Sequence, residues 1–278
     1  MTECAGRRIV IVGGTSGMGL ATARYFADRG AAVPGTGASD RSIRSSHQEI
    51  GERAAIMRSD VTSFEDNDGL FERIRTELGG MDPLFLNAGI TTSDTVSETS
   101  ERTCDSLFAV NVKGIFFAAQ RLTPLIEENG AIVLTTPAAH GKALEGSSVY
   151  SATKAAERSI TRSLAREPLP RGIRANAISP GPIDRGILER SLPADLAARL
   201  TTQFMQSNPM RRMGDSAEIA EAVAFLAFDA TYTTGAELAV DGGATQLQGR
   251  RSTRAAVPEQ AATSRRPTGV SPARGDLL

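Results

Sequence analysis

Residues 8–19 read RIVIVGGTSGMG, a short run rich in β-branched side chains that stops at a pair of glycines. An apolar run of this kind, ended by glycine, predicts a fully buried strand over 8–12. After residue 17 the apolar positions change to helical spacing, which predicts a helix over 17–29 with Gly30 as its C-cap. The stretch is therefore predicted to fold as a strand, a glycine turn and a helix.

The glycines of this turn each have a physical role. Gly13 allows the tight turn off the strand, Gly17 lets the backbone approach a pyrophosphate, and Gly19 lets the helix pack against the sheet. The start of the helix adds free N–H groups and the positive end of the helix dipole. The turn therefore predicts a phosphate cradle made of Gly13, Thr15, Ser16, Gly17, Met18 and Gly19.

The same alternation continues along the chain. Further strands are predicted at 54–57, 84–86, 131–135, 175–178 and 237–240. Further helices are predicted at 63–78, 98–110, 113–127, 149–166 and 217–227. Strands that alternate with helices in this way predict an α/β fold, a doubly wound parallel sheet with helices on both faces. Pro34 and Pro83 fall in the second and fourth predicted strands, where a missing N–H argues against regular pairing.

The composition excludes several classes of protein. Apolar residues make up 40% of the 278, so wholesale disorder is excluded, and a net charge of -1 gives no global attraction to nucleic acid or to a membrane. The two cysteines, Cys4 and Cys104, exclude a disulfide scaffold and a multi-cysteine metal site. With neither a signal peptide nor an apolar run of membrane-spanning length, we expect a cytoplasmic protein without a metal.

The last 33 residues differ from the rest. Residues 246–278 contain six arginines against two acids and have no aromatic residue or periodic apolar face. This composition predicts a domain over 1–245 and a disordered basic tail over 246–278. The tail is either a solvated extension without a role or a weak basic arm for a partner or an anion.

Three further motifs come after the glycine turn in a fixed order. They are Asn87-Ala88-Gly89, Tyr150-x3-Lys154 and Pro180-Gly181. With the turn, they make residues 5–245 resemble the single-domain members of the short-chain dehydrogenase/reductase family. The resemblance implies a Rossmann-like three-layer sandwich with a seven-stranded parallel sheet, and a homodimer or homotetramer. It also implies a nicotinamide cofactor and hydride transfer between a carbonyl and an alcohol of a small-molecule substrate.

Tyr150 and Lys154 are the candidate catalytic pair. They are four residues apart on a predicted helix and therefore share one face. A free tyrosine has a pKa of about 10, and a nearby ammonium favours the phenolate. Such a pair suits the transfer of a proton to or from an alcohol oxygen.

The resemblance assigns roles to further residues. It implies that Asn111 kinks its helix and supports a water-linked proton path to Lys154. The implied cofactor contacts are Asp60 and Val61 at the adenine, Asn87, Ala88 and Gly89 under the adenosine ribose, and Pro180, Gly181 and Ile183 at the nicotinamide carboxamide. A turn or capping role is the alternative for Asn111 and Asp60.

One position of the family pattern is missing. Family members carry a serine thirteen residues before the tyrosine, and Pro137 stands here without a hydroxyl or an N–H. Thr136 is a candidate substitute, although strand alternation aims it at the other face unless the strand has ended. The alternative is an impaired, cofactor-binding paralogue with a scaffold or regulatory role. Glu157 also departs from the family, at a usually apolar position on a face that commonly packs against a partner subunit.

The end of the second strand bears on the choice of cofactor. Enzymes that prefer NAD usually place an acid there, and none stands at Gly37 or Ala38. Ser16, Ser39 and Arg41 could instead hold a 2′-phosphate. NADP is therefore the predicted cofactor, with NAD as the alternative because Asp40 is close by.

A lid over the substrate is implied at 184–213. Its apolar side chains are Ile187, Leu188, Leu192, Leu196, Leu200, Phe204 and Met205. They favour an apolar carbonyl compound, such as a ketone or a 3-oxoacyl compound. The alternative is that they only pack the lid helix.

Overall fold

One parallel sheet organises the structure, a computed structural model that describes residues 4–51, 54–136, 145–184 and 193–247. The strands are β1 (Val10–Val12), β2 (Pro34–Gly37), β3 (Ala55–Arg58), β4 (Met81–Leu86), β5 (Ile126–Thr135), β6 (Arg174–Pro180), β7 (Ile183–Asp184), β8 (Gly214–Asp215) and β9 (Glu237–Val240). Seven of them pair in parallel in the order β3-β2-β1-β4-β5-β6-β9, while β7 and β8 form a separate short ladder. The predicted seven-stranded sheet is confirmed.

Helices connect most of these strands. They are α1 (Gly17–Ala27), α2 (Asp40–Ile50), α3 (Phe64–Arg73), α4 (Glu101–Phe108), α5 (Ile115–Leu122), α6 (Ser148–Arg166), α7 (Ala194–Ser207) and α8 (Ser216–Ala224). A π-helical turn, Ala109–Gly114, joins α4 to α5 without a break. The two helices predicted at 98–110 and 113–127 are therefore one run, and Asn111 lies inside the π turn.

Alternate residues of the first strand enter two separate hydrophobic cores. Ile9 and Ile11 lie in one core with Phe26 of α1, and Val10 and Val12 lie in the other with residues of α5. Successive side chains of a strand point to opposite faces, so β1 is buried on both sides. This burial explains its unbroken apolar run and confirms the three-layer architecture.

Both prolines lie within strands, so the doubt that they cast on the strand assignments is wrong, whereas the irregular pairing expected beside a proline is present at Pro83. Pro34 is the first residue of β2, and Pro83 stands where the register of β4 against β5 shifts, between Met81 and Pro83. A strand tolerates proline at its first residue or at a bulge, because the missing N–H removes no regular ladder bond there.

The described residues bear on the expectations about membrane helices, cysteines and metal sites, but not on those about Pro137 and the tail. None of the helices in the described ranges is long and apolar enough to cross a membrane. Cys4 and Cys104 are free thiols, and the described residues include no cluster of three or more potential metal-binding side chains. Pro137 and the tail from residue 248 onward lie outside the described residues. The domain boundary at residue 245 stays a prediction.

Arg174 provides a test of the packing between the sheet and α8. Its buried guanidinium donates to the carbonyls of Leu226, Ala227 and Ala230, at 2.8–2.9 Å, where the helical run after α8 ends. Arg174→Met keeps the alkyl stem and leaves these carbonyls without their donor. We expect a loss of about 3 kcal/mol in the free energy of unfolding, since each buried unsatisfied acceptor costs about 1–3 kcal/mol.

Urea unfolding followed by circular dichroism measures this loss. Arg166→Met, an exposed position in the last turn of α6, is the control and should stay within about 0.5 kcal/mol of wild type. Equal stability of the two variants would contradict the anchoring role of Arg174.

Candidate active site

The site lies where the order of the sheet reverses. β1 pairs with β2 on one side and with β4 on the other, so the connections from β1 and β4 leave in opposite directions. A crevice forms at this point, outside the carboxyl ends of the strands, and open α/β sheets bind ligands there. The glycine turn follows β1 and the Asn87-Ala88-Gly89 loop follows β4, so both predicted motifs meet at this crevice.

The glycine turn packs against the neighbouring loop with no room for side chains. Gly13 has φ +87°, and a Cβ there would lie 2.6 Å from the backbone nitrogen of Ala88. A Cβ on Gly19 would overlap the carbonyl oxygen of Gly13. Ser16 precedes α1 in an extended conformation and makes no capping hydrogen bond. The turn before α1 therefore has no bulky side chains, and the Ser16 side chain does not cap the N–H groups at the start of α1. Such a turn fits a pyrophosphate.

Asn87 links the turn to two strands. Its Nδ2 donates to the carbonyl of Gly13 at 3.0 Å, and its Oδ1 accepts from the hydroxyl of Thr135 at 3.0 Å. The carboxyl ends of β1, β4 and β5 are thereby held together by one side chain. The predicted ribose loop is thus part of the wall of the phosphate cradle.

The other predicted cofactor residues line the same edge of the sheet. Asp60 Oδ1 accepts from the backbone N and the hydroxyl of Thr62, so this residue does shape a turn, as the alternative interpretation predicted. Val61 is buried beneath it. Gly181 follows β6 and approaches Asp241 so closely that a Cβ would lie 2.6 Å from the Asp241 Cα, and Ile183 opens β7.

The end of β2 explains why no acid is present there. A Cβ on Gly37 would overlap the hydroxyl of Thr15, which is itself buried. Position 37 therefore has no space for a carboxylate side chain. Ser39 caps α2, its Oγ accepting from the backbone N of Ser42 at 3.2 Å, and Arg41 is exposed in the first turn.

Tyr150 and Lys154 share one face of α6, as predicted. The Lys154 Nζ lies 5.9 Å from the centre of the Tyr150 ring. Lys154 is 3% exposed, and its Nζ donates to Glu157 Oε1 at 2.7 Å and to the Thr135 carbonyl at 3.4 Å. The ammonium is therefore buried at the end of β5, beside the phenol whose ionisation it would favour.

Asn111 fixes the helix that carries this pair. Its Oδ1 accepts from the backbone N of Ile90 at 2.8 Å, and its Nδ2 donates to the Ile90 carbonyl and to the hydroxyl of Thr153. That hydroxyl donates in turn to the Tyr150 carbonyl at 2.7 Å. The fully buried amide thus joins the π turn, the loop after β4 and the first turn of α6.

Glu157 is a buried acid beside Lys154, a position that the sequence alone did not predict for it. Its side chain points into the fold toward Lys154, not outward toward a partner subunit, and it is 1% exposed. Burial raises the pKa of Glu157 to about 7, against the opposing attraction of the Lys154 ammonium. The i,i+3 spacing of the two residues on a predicted helix was the available signal.

Thr136 is placed away from the role predicted for it. Its backbone N still pairs with the Ile178 carbonyl, so the strand pairing continues through this residue. Its fully buried hydroxyl donates to Glu237 Oε1 at 2.7 Å. Alternation along the strand has aimed it at β9, which argues against Thr136 as the donor to a substrate oxygen.

The lid helix α7 exposes part of its apolar face. Leu196, Phe204 and Met205 are each 39% exposed, whereas Leu200 is partly buried. Ile187, Leu188 and Leu192 lie outside the described residues. The described part of the chain therefore leaves these three side chains partly uncovered.

An open parallel sheet with a glycine turn at its switch point, and a tyrosine–lysine pair beside it, is the arrangement expected of a dinucleotide-dependent oxidoreductase. A family model described as enoyl-(acyl carrier protein) reductase matches residues 12–245. The cis-4-hydroxycyclohexanecarboxylate dehydrogenase of Sinomonas cyclohexanicum is 35% identical over 89% of this chain and 100% of its own length. The 3-oxoacyl-acyl-carrier-protein reductase FabG of Vibrio cholerae is 31% identical over 86% and 97%.

Solved structures agree. A mutant short-chain dehydrogenase/reductase from Serratia marcescens superposes with a TM-score of 0.79 at 28% identity, over 88% of this chain and 100% of that one. The chain belongs to the short-chain dehydrogenase/reductase family, which confirms the resemblance drawn from its motifs. Its relatives are oxidoreductases, and the family generally uses NAD(H) or NADP(H).

Glu157 gives the protein a pH-dependent stability. Its folded-state pKa of about 7 lies above the ordinary value of 4.5, so the folded protein binds the extra proton between these two values. The contribution is complete below pH 4.5 and is lost as the pH rises through 7. Relative to Glu157→Gln, the free energy of unfolding of wild type should therefore fall by roughly 3 kcal/mol across this range, at about 1.4 kcal/mol per pKa unit.

Urea unfolding at a series of pH values measures the difference. Glu167→Gln, which removes an exposed carboxylate at the C-cap of the same helix, is the control and should follow wild type at every pH. Parallel curves for wild type and Glu157→Gln would show that Glu157 does not titrate near neutral pH.

Proposed function

We propose that this chain interconverts a carbonyl and an alcohol on a small apolar substrate, with NADP(H) as the hydride carrier and NAD(H) as the alternative. The observation that carries the proposal is the buried Lys154 ammonium, 5.9 Å from the centre of the Tyr150 ring, at the edge of the sheet that holds the phosphate cradle. A phosphate cradle alone would suit any dinucleotide-binding protein. The added pair supplies the proton chemistry that a carbonyl reduction needs.

The proposed mechanism divides the work between the two residues. The nicotinamide cofactor, when bound, supplies hydride for reduction or accepts it in the reverse direction. Tyr150 gives its phenol proton to the substrate oxygen in reduction and takes it back in oxidation. Lys154 stabilises the phenolate by its charge, and Asn111 holds α6 in place through Thr153.

The proposed cofactor contacts lie along the edge of the sheet. The backbone from Gly13 to Gly19 would hold the pyrophosphate, and Asp60 and Val61 would flank the adenine. The loop at 87–89 would support the adenosine ribose. Tyr150 and Lys154 would contact the second ribose, with Pro180, Gly181 and Ile183 at the carboxamide.

The end of β2 supports NADP. Thr15 fills the space in which an acidic side chain at position 37 would begin, while Ser39 and Arg41 are exposed one step further along the chain. An arginine can pair with a 2′-phosphate through charge-assisted hydrogen bonds. A proposed site of this kind favours the phosphorylated cofactor.

Direct titration with NADPH and NADH tests the preference for the cofactor. We expect tighter binding of NADPH, and we expect Arg41→Ala to raise its Kd about tenfold, a loss of about 1.4 kcal/mol, with little effect on NADH. Arg44→Ala, an exposed arginine of the same helix, is the matched control. Tighter binding of NADH by wild type would reverse the assignment.

The proposed substrate is an apolar ketone or a 3-oxoacyl compound. The half-exposed Leu196, Phe204 and Met205 on α7 support an apolar lining. One relative acts, by its name, on a hydroxycyclohexane carboxylate and another on 3-oxoacyl groups held by a carrier protein. Cyclic ketones and 3-oxoacyl thioesters are therefore the first compounds to assay.

Association into a homodimer or homotetramer is part of the proposal. Phe108 and Phe116 are 40% and 44% exposed on α4 and α5, on the surface that also includes Val112 and Ile160. Covering this apolar surface would lower its exposure to water. A cytoplasmic location stays a prediction.

The second candidate, a catalytically impaired paralogue, rests on Pro137 and on the other departures from the family pattern, such as Glu157. Pro137 lies outside the described part of the chain, and the relatives named above carry enzyme names. With Thr136 bonded to Glu237, the donor for the substrate oxygen is unassigned. We therefore expect a working but slow enzyme, because loss of one such donor costs about 10²–10³ in rate.

Three variants test the catalytic assignment. Tyr150→Phe should lower kcat by at least 10²-fold and weaken NADPH binding far less, since the general acid and one proposed ribose contact are lost while the cradle is intact. Pro137→Ser should raise kcat by about 10²-fold if the hydroxyl restores the missing donor. Tyr232→Phe, at a fully exposed position, is the control.

The assay is the oxidation of NADPH with the ketone panel. A Tyr150→Phe variant as active as wild type would contradict the mechanism. Activity that appears only in Pro137→Ser would favour the impaired paralogue.

A further inference from the structure

We propose that Glu157 is a positioning residue, which holds Lys154 by an ion pair and offsets its charge so that Tyr150 stays in the protonated form that carbonyl reduction uses. The proposal rests on the proposed function of Tyr150 and Lys154. It adds a third titratable group to the site and ties the direction of catalysis to that group.

The first observation is where the ammonium is bonded. The Lys154 Nζ donates to Glu157 Oε1 at 2.7 Å, closer than to the Thr135 carbonyl at 3.4 Å. The side chains are 4% and 2% exposed, so water does not screen this pair. The position of the ammonium relative to Tyr150 therefore depends on the carboxylate as well as on its own helix.

The second observation is that no other described charge competes for the pair. Helix α6 packs against β5, β6, α4 and the π turn at 109–114. The titratable or charged groups on these elements are Glu101, Arg102, Cys104, Asp105, Lys113, Glu127, Glu128 and Arg174. Arg174 bonds carbonyls near α8, and the Lys113 Nζ lies over the Phe64 ring. The acids of α4 and the start of β5 are exposed.

The nearest charges on and beside α6 also have their own partners. Arg158 Nε lies 3.5 Å from Glu237 Oε2, and Glu237 Oε1 accepts from the Thr136 hydroxyl. This second pair joins α6 to β9. The attraction of Lys154 is the charge interaction that opposes the burial of Glu157.

The sign of the effect on Tyr150 is set by charge. An isolated ammonium favours the phenolate, and a carboxylate beside that ammonium disfavours it. Because the carboxylate bonds the ammonium, it lies no more than about 9 Å from the centre of the ring. A unit charge at about 9 Å and an effective dielectric constant near 20 shifts a pKa by roughly one unit. Glu157 thus raises the pKa of Tyr150 and preserves the acid needed to protonate a carbonyl oxygen.

The protonation of Glu157 makes this effect depend on pH. Burial raises the pKa of Glu157 to about 7, so the carboxylate carries its charge above neutral pH, the range in which a tyrosine titrates. Below neutral pH Glu157 becomes neutral, and the ammonium acts on Tyr150 without a counterbalance. The phenol is therefore protected most where it would otherwise begin to ionise.

The composition of the chain permits a direct measurement without substrate or cofactor. The protein has three tyrosines and no tryptophan, so the near-ultraviolet absorbance of tyrosinate reports on few groups. The difference between wild type and Tyr150→Phe isolates the titration of Tyr150. We expect its midpoint to fall by about one pH unit in Glu157→Gln, measured against the double variant Glu157→Gln/Tyr150→Phe.

Two controls separate a positioning role from helix stabilisation. Glu167→Gln removes a carboxylate from the end of the same helix and should leave the midpoint unchanged, and Glu157→Asp, which keeps the charge, should restore most of the wild-type midpoint. An unchanged midpoint in a folded Glu157→Gln would overturn the proposal. If that variant does not fold, the chemical shift of the Tyr150 Cζ is followed by NMR in wild type as the pH is raised. A change in this shift as Glu157 ionises supports the proposal, and a shift that does not change there overturns it.

The experiment distinguishes a failure of the positioning role of Glu157 from a failure of the proposed function. A protein that binds no nicotinamide cofactor and reduces no ketone would refute the function, yet the phenolate titration would still be readable. In an active enzyme, the basic limb of the pH profile for reduction should fall in Glu157→Gln by the same amount as the midpoint. A shifted midpoint with an unmoved limb would show that Glu157 tunes a tyrosine that catalysis does not use, and would overturn the proposal.

Discussion

The contact between the turn after β1 and the loop after β4 is the constraint on which the rest of the site depends. Gly13 leaves no space for a side chain against Ala88, and Asn87 bonds both the Gly13 carbonyl and the Thr135 hydroxyl. Because Thr135 also accepts from Lys154 through its carbonyl, the phosphate cradle and the catalytic helix share one strand end. A small displacement of the turn would therefore reach the ammonium through Asn87 and Thr135.

The buried ion pair between Lys154 and Glu157 on α6 costs desolvation energy, and it lies beside the proposed general acid. Taking two charges out of water is expensive, and the attraction between them regains this only when the geometry is good. Apolar side chains of similar volume would commonly pack as well or better in such a place. A pair of this kind beside a proposed general acid fits the wider observation that functional sites depart from what stability alone would select.

The sequence was sufficient for the parts of the fold that depend on local pattern. The apolar run of β1, the glycine turn and the period of α1 predicted elements that the structure contains, and the spacing of Tyr150 and Lys154 predicted their shared face. The prolines were misjudged because tolerance depends on where a strand begins and where its register shifts, which only pairing reveals. The orientation of Thr136 depended likewise on whether β5 had ended. The sequence shows that Glu157 departs from the family pattern, but it does not show that the side chain is buried against Lys154.

The π turn at Ala109–Gly114 has a consequence for how this chain tolerates changes in length. Such a turn amounts to one extra residue in an otherwise regular helix. Deleting any one residue there would restore a regular helix and remove the wide turn in which Asn111 stands. Asn111 would then lose its alignment with Ile90 and Thr153. The number of residues between α4 and α5 is thus fixed by the chemistry of one amide, and insertions and deletions should be accepted elsewhere on the surface before they are accepted in this helix.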